Sequence, residues 1–382
     1  MNLCHRLFCL SLFGAICGLA QAAAPRHSLA LPPVSVPPVG EFVVPSEMPA
    51  QAEITRLPAE LIVQFQTEVL AKASSKDARL ERLVAFMFES WGMGMTYDGS
   101  TTRTVSQAYL DRKGNCLSFT LTFLELARLA GLNAEMQESE QALVSMADSD
   151  RVIFTGHVNA NVLINRRSAE VHFDPNRPLL RSVRETISRQ RALAHYYNNR
   201  GAELMEEGAY SQADAHLAEA LNLDPSLVAA YNNRGVLKLR QQDVSAAERL
   251  FMSAYQLDPD GISVLSNLVS LYRLQADSTQ LDLFENRLAK AQSRNPYHHF
   301  LMGLQDERKG DHESALMHFT LAARLDRRVP LYRWALSRVL QATGDLEQAR
   351  TQARRAVALE RTFRRPVREV QRCCTRTMSY SR

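Results

Sequence analysis

Residues 197–225 read YNNRGAELMEEGAYSQADAHLAEALNLDP, and residues 231–259 read YNNRGVLKLRQQDVSAAERLFMSAYQLDP. At an offset of 34 the two superpose without a gap: Tyr197 on Tyr231, Gly201 on Gly235, Leu204 on Lys238, Ala213 on Ala247, Leu217 on Phe251, Ala220 on Ala254 and Pro225 on Pro259. A period of this length marks a unit that buries its apolar face only against copies of itself, so units come in series. Small residues let the two helices of a unit cross closely, and a proline without an N–H ends the second helix. The period continues more weakly, with a degenerate unit over Ile262 to Asn295, a fourth marked by Gly303, Ala315, Phe319 and Ala322, and a fifth by Leu336, Ala349 and Ala356. An all-α solenoid of about five units is expected over 194–360.

These positions resemble the tetratricopeptide consensus. The resemblance implies a concave groove that takes an extended peptide or a partner protein, its contacts on the first helices of the units.

Upstream, over 53–187, the pattern changes. Leu61, Ile62, Phe65 and Val69, then Leu80, Leu83, Val84, Met87 and Phe88, recur at steps of three and four and predict two amphipathic helices. Arg112-Lys113-Gly114-Asn115-Cys116 then opens the run Leu117 to Ala130, which is apolar nearly all round and stops at Gly131. A buried helix with Cys116 in its first turn follows, and there the unpaired backbone N–H groups favour a thiolate. Taken alone, Cys116 also reads as a small hydrophobe in a core. Val158, Ala160, Val162 and Ile164 alternate with His157, Asn159 and Asn161, and a second extended run spans Ala169 to Phe173. With Asn165 and Ser168 flanking the loop, paired positions sum to 333: Asn159 faces Asp174, His157 faces Asn176, and His157 and Asp174 lie diagonally on one face. A carboxylate that orients an imidazole beside a thiol is the arrangement nucleophilic catalysis needs.

Gly114-Asn115-Cys116 entering an apolar helix, a strand opening at His157, and Phe173-Asp174-Pro175 resemble the core of the transglutaminase-like superfamily. The resemblance covers Leu80 to Pro178. It implies an α+β, papain-like domain of helices with a small antiparallel sheet, in which Cys116 is the nucleophile, His157 the base and Asp174 its orienter. The reaction implied is acyl transfer through a thioester, as a cysteine protease or amidase, with protein crosslinking and a non-catalytic scaffold as the alternatives. Asn159 and Asn161 depart from the family's residues after the histidine, which bears on substrate preference. His172 shares the predicted face with His157 but has no evident carboxylate. For the oxyanion, the backbone N–H of Cys116 is the default donor and Gln107 a side-chain candidate.

Across the 382 residues the net charge is only +4. With no basic cluster ahead of the C-terminal tail, nucleic acid is not an expected partner. His298, His299, His312 and His318 lack ligand-like spacing to acids or cysteines, so no metal and no other cofactor is expected. The start is laid out as an export signal: His5 and Arg6, an apolar run from Leu7 to Leu19, then Ala20-Gln21-Ala22. Cleavage after Ala22 is expected, giving a periplasmic or secreted chain. The bulky Ile16 disfavours lipid attachment at Cys17. At about 13 residues the run is too short to span a bilayer, and no later segment is long enough, so no integral membrane segment remains after cleavage. Prolines crowd 23–52 as in an extended linker, and 361–382 is a basic tail. With Cys4, Cys9 and Cys17 in the signal, only Cys116, Cys373 and Cys374 remain, too few for a disulfide framework.

Overall fold

The computed structural model describes residues 48–147, 151–165, 167–171 and 184–363. The expected signal and most of the proline-rich stretch lie outside the described residues, as do His172, Asp174 and the tail from 364.

The short helix α1 (Gln51–Ile54) leads into α2 (Ala59–Phe65), which widens into a π turn at Gln66–Leu70. Helix α3 (Lys76–Phe88) begins where the Ser75 hydroxyl accepts from the Ala78 N–H. Leu61, Phe65 and Val69 face Leu80, Leu83, Phe86 and Met87, so the three- and four-residue spacing becomes one buried seam. After α3, β1 (Thr96–Tyr97) pairs in parallel with β2 (Lys113–Gly114) across α4 (Val105–Asp111). Gly114 is demanded by a close approach: a Cβ there would lie 2.8 Å from the Phe119 ring.

Helix α5 (Cys116–Leu129) is the axis of the front domain. One face carries Leu117 and Leu121 into a cluster with Met136, Val158 and the first helices of the array. The other packs Phe119, Phe123, Leu126 and Ala127 on α2, α3, Ala160, Val162 and Ile164. Being apolar all round, it is covered on both sides. Its buried hydroxyls are satisfied within the helix, Thr120 Oγ1 donating to the Cys116 carbonyl at 2.7 Å and Thr122 Oγ1 to that of Ser118 at 2.8 Å. The left-handed Gly131 (φ 67°) closes it.

Strands β3 (Asn133–Ala147), β4 (Arg151–Ile164), β5 (Arg167–Val171) and β6 (Arg184–Thr186) form an antiparallel sheet in the order β5-β4-β3-β6. Two expectations are corrected. Strand β4 starts at Arg151, not at His157, because the polar segment β3, a poor strand by its own composition, pairs along its length. The β4–β5 pairing sums to 331, not 333: Ile164 pairs with Arg167 and Ala160 with Val171. Two residues reverse the chain, and Asn165 supplies the left-handed φ of 50° that such a tight loop requires. The expected pairings of Asn159 with Asp174 and of His157 with Asn176 fall on residues outside the described ones.

Five antiparallel helix pairs follow: α6 (Arg189–Glu206) with α7 (Tyr210–Leu223), α8 (Val228–Arg240) with α9 (Val244–Leu257), α10 (Ile262–Gln275) with α11 (Ser278–Arg294), α12 (Pro296–Lys309) with α13 (His312–Leu325), and α14 (Pro330–Ala342) with α15 (Leu346–Phe363). An aspartate caps the second helix of most pairs: the carboxylates of Asp243, Asp277, Asp311 and Asp345 accept from the N–H three residues on. Ile54, Val105, Leu117 and Val158 continue into Ala192, Tyr196 and Tyr231, so the front domain and the first repeats share one core.

Candidate functional site

Cys116 is the first residue of α5 and is half-buried, packed against the cluster that holds Leu117 and Val158. The helix start beneath it is fixed by Asn115. Its Oδ1 accepts from the Ser118 N–H at 2.9 Å and the Ser118 hydroxyl at 3.1 Å, while its Nδ2 donates to Thr102 Oγ1 at 2.7 Å. Asn115 and Ser118 are buried, so losing a partner would strand a polar group away from water. The Ser118 hydroxyl oxygen also accepts from the Arg103 N–H at 2.8 Å. Residues 101–103 are thus tied to the tip of the helix, and the Thr102 N–H donates to Glu203 of α6 at 2.8 Å. The asparagine of the Gly-Asn-Cys motif thus fixes where the helix, with Cys116 as its first residue, begins.

His157 lies in β4 with its backbone opposite Ser139, next to Val158, which sits in the cluster bordered by Cys116. In the alternation of β4, position 157 is out of phase with the set Val158, Ala160, Val162 and Ile164 that is buried with α5 and has the phase of Asn159. The β3–β4 register shifts between Ser139 and Leu143, opposite positions 157 and 155. Asp174 and His172 lie outside the described residues. Asn159 is 1% exposed and its Nδ2 has no hydrogen-bond partner among the described residues; the same holds for Oε1 of its cross-strand neighbour Gln137.

Gln107 belongs to the cap of α4. Its Oε1 accepts from the Thr104 N–H at 2.9 Å, while its own N–H donates to Thr104 Oγ1 at 3.2 Å. Its side chain borders a cavity between residues 101–111 and the first repeat.

Two polar clusters that sequence reasoning missed clamp this site to the array. Glu125, 4% exposed on α5, is held by Arg128 and by Arg189 (2.9 Å), which also donates to Thr55 Oγ1 at 2.6 Å. Glu138 of β3 meets Arg191 at 2.8 Å and His195 at 3.2 Å, and Arg191 bridges on to Asp224 at 2.7 Å. Burial alone would raise the Glu138 pKa, but His195 and Arg191 outweigh it and hold the carboxyl down at about 2. The only sequence signal for these pairs was the presence of charged residues in otherwise apolar elements. The described residues contain no group of three or more metal-ligating side chains and no helix long and apolar enough to cross a membrane.

The tetratricopeptide-repeat family profile matches residues 194–227, which span α6, α7 and the turn after them. That segment is a tetratricopeptide repeat. With the further helix pairs packed behind it, the C-terminal region is an all-helical repeat scaffold of that kind. No curated protein matches the chain. Solved structures similar to it include "MamA MSR-1 C2", at 20% identity over 44% of this chain and 98% of that one with a TM-score of 0.24. A structure titled "YrrB: a TPR protein with an unusual peptide-binding site" is similar at 17% identity over 44% and 87%, TM-score 0.25. Pseudomonas aeruginosa pilF is similar at 20% over 45% and 78%, TM-score 0.27.

Proposed function

We propose that this chain is an exported thiol acyl-transfer protein of the transglutaminase-like kind, whose repeat scaffold docks a peptide or protein. The observation that carries the proposal is Cys116 at the first turn of a helix buried on both faces, its start fixed by the Asn115 network. In this reading the Cys116 thiolate attacks an amide carbonyl and the adduct collapses as the C–N bond breaks. The departing nitrogen takes a proton from the His157 imidazolium, leaving a thioester. Water then attacks, giving its proton to the imidazole, and the acid is released as the thiol re-forms. Asp174 orients the ring in this reading, as the resemblance implies. The Cys116 N–H, with the amide nitrogen of Gln107 as the side-chain candidate, would meet the oxyanion.

Iodoacetamide labelling of the intact chain across pH tests the nucleophile. Cys116 should react well below about pH 8.5, the ordinary thiol value, and His157→Ala should move the profile up to it. Reaction only above that value, unchanged in His157→Ala, sinks the enzyme reading. A fluorescent primary amine taken up in place of water would assign crosslinking instead of hydrolysis. The helix-pair array supports a second reading, a scaffold whose front domain does no chemistry. A Cys116→Ala chain that binds its partner and retains its biological activity decides for that one. Export is tested by fractionating cells that make the full chain; retention of residues 1–22 on a cytosolic product opposes it.

A further inference from the structure

In the fourth helix pair, His299 of α12 and His318 of α13 face each other with their Nδ1 atoms 3.3 Å apart. Their ring centres are 5.6 Å apart, which is that gap plus one ring radius at each end. Both nitrogens therefore lie on the line between the rings and point at each other. On its far side His299 Nε2 lies 3.0 Å from the Ser293 carbonyl of α11, which only accepts, so Nε2 carries a hydrogen and the neutral ring leaves Nδ1 bare. The hydrogen in the gap then belongs to His318 Nδ1. On the far side of that ring, His318 Nε2 stands 3.6 Å from Oδ2 of Asp306, a buried carboxylate oxygen with no hydrogen-bond partner among the described residues.

Protons fill this chain in a fixed order. The first goes to His318 Nε2, beside the Asp306 carboxylate. A second has only His299 Nδ1 left, and there it would set two N–H groups head-on, each on a cation, in a gap that fits one hydrogen. Burial holds the His318 ring below its ordinary pKa, with Asp306 opposing and His299 adding to the fall. His298, its ring centre 5.7 Å from that of His299, is pushed down to about 4 by burial and by His299 and His318, so it stays uncharged in mild acid. Of the other charges nearby, Lys290 and Arg294 of α11 are exposed, and Arg333 and Arg338 of α14 are engaged by Gln352 and Glu307. His312, Glu313 and Arg324 stand at the ends of α13.

The apolar packing parts just before this pair. The cluster shared by the front domain and the first three pairs ends at Phe284 and Ala291, and a separate one begins at Tyr297 and Phe300. A repeat is held by its neighbours, so a break in the shared core lets the fourth pair open without the first three. We infer that the fourth helix pair is an acid-sensitive segment of the array, held shut by a single hydrogen between His299 and His318 and loosened when both rings are charged. It involves neither Cys116 nor the residues around it, and stands apart from the proposed acyl transfer.

The test is backbone hydrogen exchange on the full chain, expressed as protection factors so that the intrinsic pH dependence of exchange drops out. From about pH 7 to about pH 5, the span in which imidazoles charge, protection in α12 and α13 should fall about tenfold or more, as two like charges brought together away from bulk water demand, while α8 and α9 keep theirs. His318→Asn, whose amide donates to His299 Nδ1 as the ring does, and His299→Gln, whose amide donates to the Ser293 carbonyl, cannot charge, and each should abolish the fall. In the unsubstituted chain, ring-nitrogen NMR should find one of the two Nδ1 atoms bare at about pH 7 and both protonated where protection is lost. An equal fall in α8 and α9, a fall that persists in either folded variant, or a pair that still shares one hydrogen at about pH 5 overturns the inference.

Discussion

Gly235 meets Phe251 as Gly201 meets Leu217 one repeat earlier and Gly303 meets Phe319 two repeats later; a Cβ on any of the three glycines would come within 2.5–2.7 Å of that partner. In the front domain Gly114 meets Phe119 just as closely, at 2.8 Å, but only once. The third repeat shows what happens when the repeated contact lapses. Val269 occupies the glycine's place, and Phe284, one residue off the phase of Phe251 and Phe319, instead stacks on Tyr272 with centroids 5.3 Å apart. A contact that recurs announces itself as a period, whereas an equally tight contact made once does not.

The largest effect should come from breaking the recurring contact. Gly235→Val places a branched side chain in the Phe251 ring, and we expect a loss of about 3 kcal/mol in chemical denaturation. Gly114→Val should cost about as much and also alter Cys116 labelling, which Gly235→Val should leave alone. Equal labelling in both would erase the distinction between the regions.

Acid should act on the clamp between them. The Glu138 carboxyl titrates at about 2 in the folded chain against 4.5 ordinarily, so its contribution is complete above pH 4.5 and fades as pH falls toward 2. The fade amounts to roughly 3 kcal/mol, and Glu138→Gln should flatten that part of the stability profile. An identical profile in the variant would show that Glu138 is not the group responsible.

Asn115→Ala tests the single-copy network at the helix tip. Losing the cap and its buried partners should cost about 1–2 kcal/mol by thermal unfolding and slow Cys116 alkylation. In the array the matching device is Asp243, whose replacement by alanine should cost less, about 1 kcal/mol, since it is exposed and strands no buried group. The smallest effect is expected at Arg338, which pairs with Glu307 at 2.6 Å but is 57% exposed. Arg338→Ala should shift stability by no more than about 0.5 kcal/mol.

Much of the architecture was legible because it rests on local chemistry. Tyr197, Gly201, Ala213 and their copies 34 residues on carry the repeat, and an apolar run between Asn115 and Gly131 carries the buried helix. The alternation of Val158, Ala160, Val162 and Ile164 likewise marks a strand buried on that phase. Strand β3 was not legible, since Asn133 to Glu140 has neither an apolar alternation nor strong strand formers. Its pairing is supplied by β4 and β6. The hairpin register slipped by two because a left-handed asparagine closes the loop sooner than a count of flanking residues suggests.

By itself, then, the sequence determined the elements whose cause lies within one element: period, amphipathic face, cap and helix stop. Only the tertiary structure decided the contacts between elements distant along the chain. It joined Thr102 to Asn115, Arg189 to Glu125 and Arg191 to Glu138, seated the front domain on the first repeat, and left a cavity bordered by Tyr196 and His216. Such pairs leave no periodic trace, because each is made once and depends on where two independent segments come to rest.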